Sequence, residues 1–238
     1  MPRSKKRADN SPYVHQRRKV ELDLKIGELP WTPKQMEFIR LAQMKETKVM
    51  FVSGPAGVSK TILAAYCALH FLNDKKVSDI LYLRSVVESS TSKMGFLPGL
   101  IEEKISPYLQ PLMDKLDELL YKPDVKKITD SGRVDGRPIN YLRGAHWAGK
   151  CVVLDEAQNC DKKELTTIMT RIGEFCKVFI LGDPMQSDIN GRTAFEPFCE
   201  AFDSIEAQER GIHVFRFSTE DIVRSEILKY IVSIIDEI

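Results

Sequence analysis

Apolar residues come in short unbroken runs, each closed by a polar or small residue: Val49-Met50-Phe51-Val52, Ile80-Leu81-Tyr82-Leu83, Cys151-Val152-Val153-Leu154 and Val178-Phe179-Ile180-Leu181. A run that is apolar at both alternations predicts a strand buried on both faces, as in a parallel sheet covered by helices. Val214-Phe215-Arg216-Phe217 predicts a further strand. Between the strands the spacing turns helical: Phe38, Leu41 and Ala42 flanked by Met36 and Ile39, then Ile62, Leu63, Tyr66 and Leu69. Residues 99–121 read as one or two amphipathic helices, and residues 162–172, 194–202 and about 220–235 as three more. Thr32 is placed to cap the first helix, with Pro33 in its first turn. Strands alternating with helices, with polar motifs at strand ends, predict a doubly wound α/β sheet whose ligand lies along the carboxyl edge. Two stretches fall outside that grammar. Residues 1–29 are a polar lead-in whose Val20-Leu22-Leu24-Ile26 alternation allows one edge strand; in 124–143, Asp130-Ser131-Gly132 and Asp135-Gly136 predict a hairpin-rich insertion.

The polar ends of the runs carry the candidate chemistry. After the first strand, Gly54-Pro55-Ala56-Gly57-Val58-Ser59-Lys60-Thr61 opens a helix, the setting in which a phosphate-binding loop is credible. Loop N–H groups at a helix N-terminus favour a polyphosphate; Lys60 adds a full charge and Thr61 a hydroxyl for Mg²⁺. The pattern has Gly immediately before the Lys, whereas Ser59 stands here, bringing a Cβ to a place where phosphate approaches backbone. A turn that binds nothing is the competing reading of these eight residues. Asp155-Glu156, about 95 residues on at the end of another buried strand, answers it. Asp155 would hold Mg²⁺ through water, and Glu156 would accept a proton from the attacking water or orient it. A nucleoside triphosphate with Mg²⁺ is the expected ligand.

A chain of 238 residues, 43% apolar and 29% charged, suits one cored domain with extensions. Residues 30–238 are read as that domain, with the insertion at about 99–145. Five cysteines, no two separated by only two residues, argue for reduced intracellular thiols over a disulfide framework or a zinc site. No apolar run approaches the roughly 18 residues that span a bilayer, so a cytoplasmic protein with no membrane partner is expected. The net charge of +1 conceals an asymmetry: residues 1–19 carry +6 and the remainder −5. A basic arm of this kind reaches phosphates without reading sequence, or serves as a solvated tail.

Together, Trp31-Thr32-Pro33-Lys34-Gln35, the loop at 54–61, Arg84-Ser85-Val86-Val87-Glu88 with Gly95-Phe96-Leu97-Pro98-Gly99, Asp155-Glu156-Ala157-Gln158-Asn159, Thr170-Arg171-Ile172-Gly173, Gly182-Asp183-Pro184-Met185-Gln186 and Asp221-Ile222-Val223-Arg224 resemble the PhoH-like ATPases. The motifs follow that family's order over about 31–224. The resemblance implies a single RecA-like P-loop core related to superfamily-one helicases, ATP hydrolysis, and RNA or single-stranded DNA as partner. It further implies that Gln35 reads the adenine edge, that Gln186 bonds the γ-phosphate or its water, and that Arg84 meets nucleic-acid phosphate or the adjacent site. A surface salt bridge is the alternative for Arg84. Superfamily-one helicases close two RecA-like halves on ATP, and only one half is present here. An arginine must then come from another copy, Arg224 or Arg171, in a head-to-tail homo-oligomer that the resemblance makes a hexamer. The alternative function is a nucleotide-regulated RNA-binding module with little turnover; a small-molecule kinase is a third reading.

Overall fold

The computed structural model describes residues 22–85, 101–139, 146–187 and 193–223, with single positions 142, 227, 230 and 234 besides; of residues 101–107 it gives the backbone. Strands β1 (Val49–Ser53), β2 (Asp79–Arg84), β3 (Val134–Pro138), β4 (Lys150–Asp155), β5 (Lys177–Gly182) and β6 (Ile212–Arg216) form one sheet ordered β3-β2-β4-β5-β1-β6. Every pairing among them is parallel.

Parallel pairing accounts for the unbroken apolar runs, because successive side chains face opposite sides of the sheet and both sides are covered. Met50, Val52, Ile80, Tyr82, Val153 and Phe179 enter a core beneath α1 (Pro33–Gln43), α2 (Lys60–Asn73), α3 (Ile101–Leu119) and α4 (Lys122–Asp130). Their neighbours Val49, Phe51, Leu81, Leu83, Val152 and Ile180 enter a second core beneath α5 (Lys162–Met169) and α6 (Phe195–Phe202). A short α7 (Ile205–Glu209) leads into β6. Thr32 and Gln35 start α1 with a reciprocal capping box, and Pro33 occupies the first turn, where no N–H is needed.

The helix after β1 lies on one face of the sheet and the helix after β5 on the other, although the two strands are neighbours. Such a reversal opens a crevice beyond the carboxyl ends of β1 and β5. Two expectations are corrected. The predicted hairpins are helix α4 followed by β3, which runs parallel to β2 at the sheet edge. An ideal Cβ on Gly136 would lie 2.6 Å from Leu109 Cδ1, so the Asp135-Gly136 pair reflects the close approach of α3 rather than a turn. Residues 22–30 are irregular, not strand; Leu24 N–H donates to Asn73 Oδ1 (2.9 Å) and Gly27 N–H to the Leu119 carbonyl (2.7 Å). The basic arm, the Gly-Phe-Leu-Pro-Gly stretch, Arg224 and most of the expected final helix lie outside the described residues; positions 227, 230 and 234 are helical.

Candidate functional site

Between β1 and α2 the loop is built from unusual backbone. Gly57 has φ 94° and Ser59 φ 72°, ψ 29°, both left-handed. Ser59 precedes the helix without a side-chain cap bond, so its hydroxyl does not offset the conformation. The glycine expected before the lysine is therefore explained by backbone geometry as well as by phosphate approach, and a serine there carries about 1–2 kcal/mol of left-handed strain. Gly54 has a different reason. A Cβ there would stand 2.7 Å from Phe217 Cβ, where the chain leaving β6 crosses the end of β1.

Ala56, Gly57, Ser59, Lys60 and Thr61 line a cleft of about 520 Å³ at the crevice. Val58 turns its side chain wholly into the core, and only its backbone serves the loop. The Lys60 ammonium donates to the carbonyls of Gly54 (2.5 Å) and Pro55 (2.9 Å). Burial lowers its pKa, against the opposing pull of Asp183, Asp155 and Glu156.

Strand β4 delivers the acids. Asp155, nearly buried, accepts at Oδ2 from Thr61 Oγ1 (3.0 Å) and from the Tyr82 hydroxyl (2.7 Å), and at Oδ1 from the Glu156 N–H (3.1 Å). Burial, then the charge of Asp155, raises the Tyr82 pKa, which keeps that phenol a donor. Glu156 is left-handed at φ 57°, which sends its side chain out of the strand direction. Its Oε2 accepts from Gln158 Nε2 (2.7 Å), and its Oε1 lies 3.6 Å from Arg84 Nη2. Gln158 also accepts the Asp183 N–H at Oε1 (3.0 Å), so one buried amide ties Glu156 to the turn after β5.

A hydroxyl and a carboxylate in direct contact are hard oxygen donors, and Mg²⁺ is held in this way by one or two side chains with phosphate and water completing the shell. Among the described residues no group of three or more His, Cys, Asp or Glu could hold a metal by itself. The donor set thus fits a Mg²⁺ that arrives with a polyphosphate.

The other expected residues are distributed unevenly. Gln186, Gln35 and Trp31 line the cleft. Gln35 is buried, and both ends of its amide are engaged: Oε1 accepts the Thr32 N–H (3.0 Å), and Nε2 points to the Val58 carbonyl (3.4 Å). Arg84 is in the salt bridge given as its alternative. Arg171 lies beyond α5, near the amino end of β4, where Trp147 N–H donates to its carbonyl and its Nη2 donates to Leu142 O (3.0 Å); that is the sheet edge opposite the cleft. Tyr82 and Gln158 were not singled out by sequence. Tyr82 is the polar-tipped residue in an otherwise apolar run, two positions before Arg84; Gln158 stands in the motif quoted for its acids.

A phosphate-type loop on β1, an acidic pair on β4 and a single strand, β5, between them on an all-parallel sheet define the RecA-like P-loop ATPase fold. The large terminase of a thermophilic bacteriophage, solved in complex with ATP-gamma-S, shares it at a TM-score of 0.53 and 11% identity, over 86% of this chain and 49% of that one. Within that class the chain belongs to the PhoH-like protein family, whose model matches residues 29–236. PhoH-like proteins of Mycobacterium bovis and Bacillus subtilis are 35% and 32% identical to it, over 77% and 85% of this chain and 51% and 62% of theirs. The chain spans about half to three fifths of the length of these relatives. Among the described residues no helix is long and apolar enough to cross a membrane.

Proposed function

We propose that this chain is a Mg²⁺-dependent ATPase acting on RNA or single-stranded DNA as a head-to-tail homo-oligomer, a hexamer. The observation that supports the chemistry best is the Thr61–Asp155 contact at 3.0 Å across 94 residues of sequence, with Glu156 next in the chain. Lys60 would exchange the Gly54 and Pro55 carbonyls for the β- and γ-phosphates, whose remaining charge meets loop N–H groups at the start of α2. Thr61 and Asp155 would hold Mg²⁺, which supplies neutralisation of phosphate charge. Glu156 would take the proton of the attacking water or orient it, and Gln186 would bond the γ-phosphate or that water. Gln35 would read the adenine edge with the amide functions it now spends on Thr32 and Val58.

The nucleic-acid partner and the oligomer rest on family membership; in such an oligomer a neighbour's arginine would reach the γ-phosphate, and Arg224 and Arg171 are the candidates. The contacts that Gln158 and Arg84 make with Glu156 favour a second reading, in which bound ATP regulates RNA binding and turnover is slow. Phosphate release under multiple turnover, with and without single-stranded RNA and DNA, and the mass of the assembly in solution test the proposal. Turnover that responds to a strand in a ring-sized particle supports it; a monomer with no turnover contradicts it.

A further inference from the structure

Arg84 closes β2 where β4 delivers its acids: its Cα stands opposite that of Asp155, and its Nη2 lies 3.6 Å from Glu156 Oε1. The next residue, Ser85, donates through Oγ to the Asn159 carbonyl (2.7 Å), so the segment following β2 is tied to the turn following Glu156. The pair is open to solvent, with side chains 36% and 39% exposed. The other oxygen of the carboxylate is held by buried Gln158 at 2.7 Å. Glu156 thus has one oxygen hydrogen-bonded to a buried anchor and the other drawn toward an accessible cation at ion-pair distance, and together the two contacts fix the direction in which the carboxylate faces.

We propose that Arg84 is a positioning residue that restrains Glu156 until a phosphate of a nucleic-acid strand takes its guanidinium, so that strand binding releases the carboxylate for ATP hydrolysis. The inference rests on the ATPase reading above and adds how the two ligands communicate. A guanidinium fork bonds phosphate through two parallel N–H groups, a better match than the single long contact it makes with Glu156. An exposed ion pair of this type is worth at most about 1 kcal/mol, roughly a fivefold population difference, so a strand can displace it. Once released, the carboxylate turns about its Gln158 contact and stays beside Asp155. An arginine needed in place to aim Glu156 for catalysis would make the same contact but act with the opposite sign.

Steady-state ATP turnover of the full chain, measured alone, with polyuridylate and with oligo-dT, decides between them, with ATP affinity measured in parallel. The restraint predicts that Arg84→Ala raises strand-free turnover about two- to fivefold at unchanged ATP affinity, and that added strand then changes its rate by less than about twofold. Arg84→Lys, which keeps the charge without the fork, falls between Arg84→Ala and the wild type in both respects. A strand-stimulated wild type with strand-free Arg84→Ala turnover at or below its own overturns the restraint and leaves the proposed function standing. Wild-type turnover indifferent to both strands overturns the strand coupling together with the nucleic-acid part of that function.

Discussion

Ser59→Gly should stabilise the chain, although it removes a side chain from a helix start. Ser59 is left-handed at φ 72°, ψ 29°, and makes no side-chain cap bond. The change relieves about 1–2 kcal/mol of strain and returns roughly 0.4–1 kcal/mol through the greater freedom of glycine in the unfolded chain. The net gain is about 0.5–1 kcal/mol, or about 1–4 °C in Tm for a chain of this size. Thermal unfolding without nucleotide is the assay, and Ser59→Ala, which keeps the Cβ and the strain, is the control. The strain account requires Ser59→Gly to exceed both the wild type and Ser59→Ala before ATP is added. A gain that appears solely with ATP present would mean that the Cβ crowds phosphate instead, and equal midpoints for Gly and Ala would refute the strain account.

Gly54→Ala should cost about 1–3 kcal/mol and impair ATP binding, because a Cβ there overlaps Phe217 at 2.7 Å; thermal unfolding and nucleotide titration check both effects. Removing residues 1–19 takes away +6 of charge, so affinity for a single strand should fall and its logarithmic salt slope should become shallower by up to about 4, with strand-free turnover retained. An unchanged slope would make the arm a bystander. Mixing Arg224→Ala with Lys60→Ala subunits should restore part of the turnover that each has lost, since a Lys60→Ala subunit can lend its arginine to a neighbour's intact loop. No recovery in oligomers shown to be mixed would exclude Arg224 as the shared residue.

How far the sequence discloses the molecule depends on whether local chemistry or a distant contact sets each position. Strands β1, β4 and β5 are buried at nearly every residue, so their apolar runs are unambiguous, and the motifs at their ends are placed with them. Strand β3 is not legible in this way. It lies at the sheet edge with alternating burial, and its Asp135-Gly136 pair looks like a turn until Leu109 of α3 is seen packed on the glycine. In the candidate site, Lys60 and Thr61 are legible because a phosphate loop needs those residue types in that order, and Asp155 and Glu156 because they close another buried strand. Gln158 and Tyr82 escape because their roles are tertiary: Tyr82 sits beside Val153 across the sheet and reaches Asp155, and Gln158 bridges two strand ends. The amide of Gln35 is legible by half: its bond to the Thr32 N–H belongs to a local capping box, whereas its other partner is the carbonyl of Val58, 23 residues away.

ATP binding and turnover in Lys60→Ala and Glu156→Gln, measured side by side, separate the two halves of the site. Lys60→Ala should lose both, because the charge that faces the phosphates is gone. Glu156→Gln should bind ATP as the wild type does and turn it over at least about 100-fold more slowly, the scale of a lost general base. Turnover in Glu156→Gln within about twofold of wild type would contradict the assignment of Glu156 as the water-activating carboxylate and, with it, the restraint attributed to Arg84.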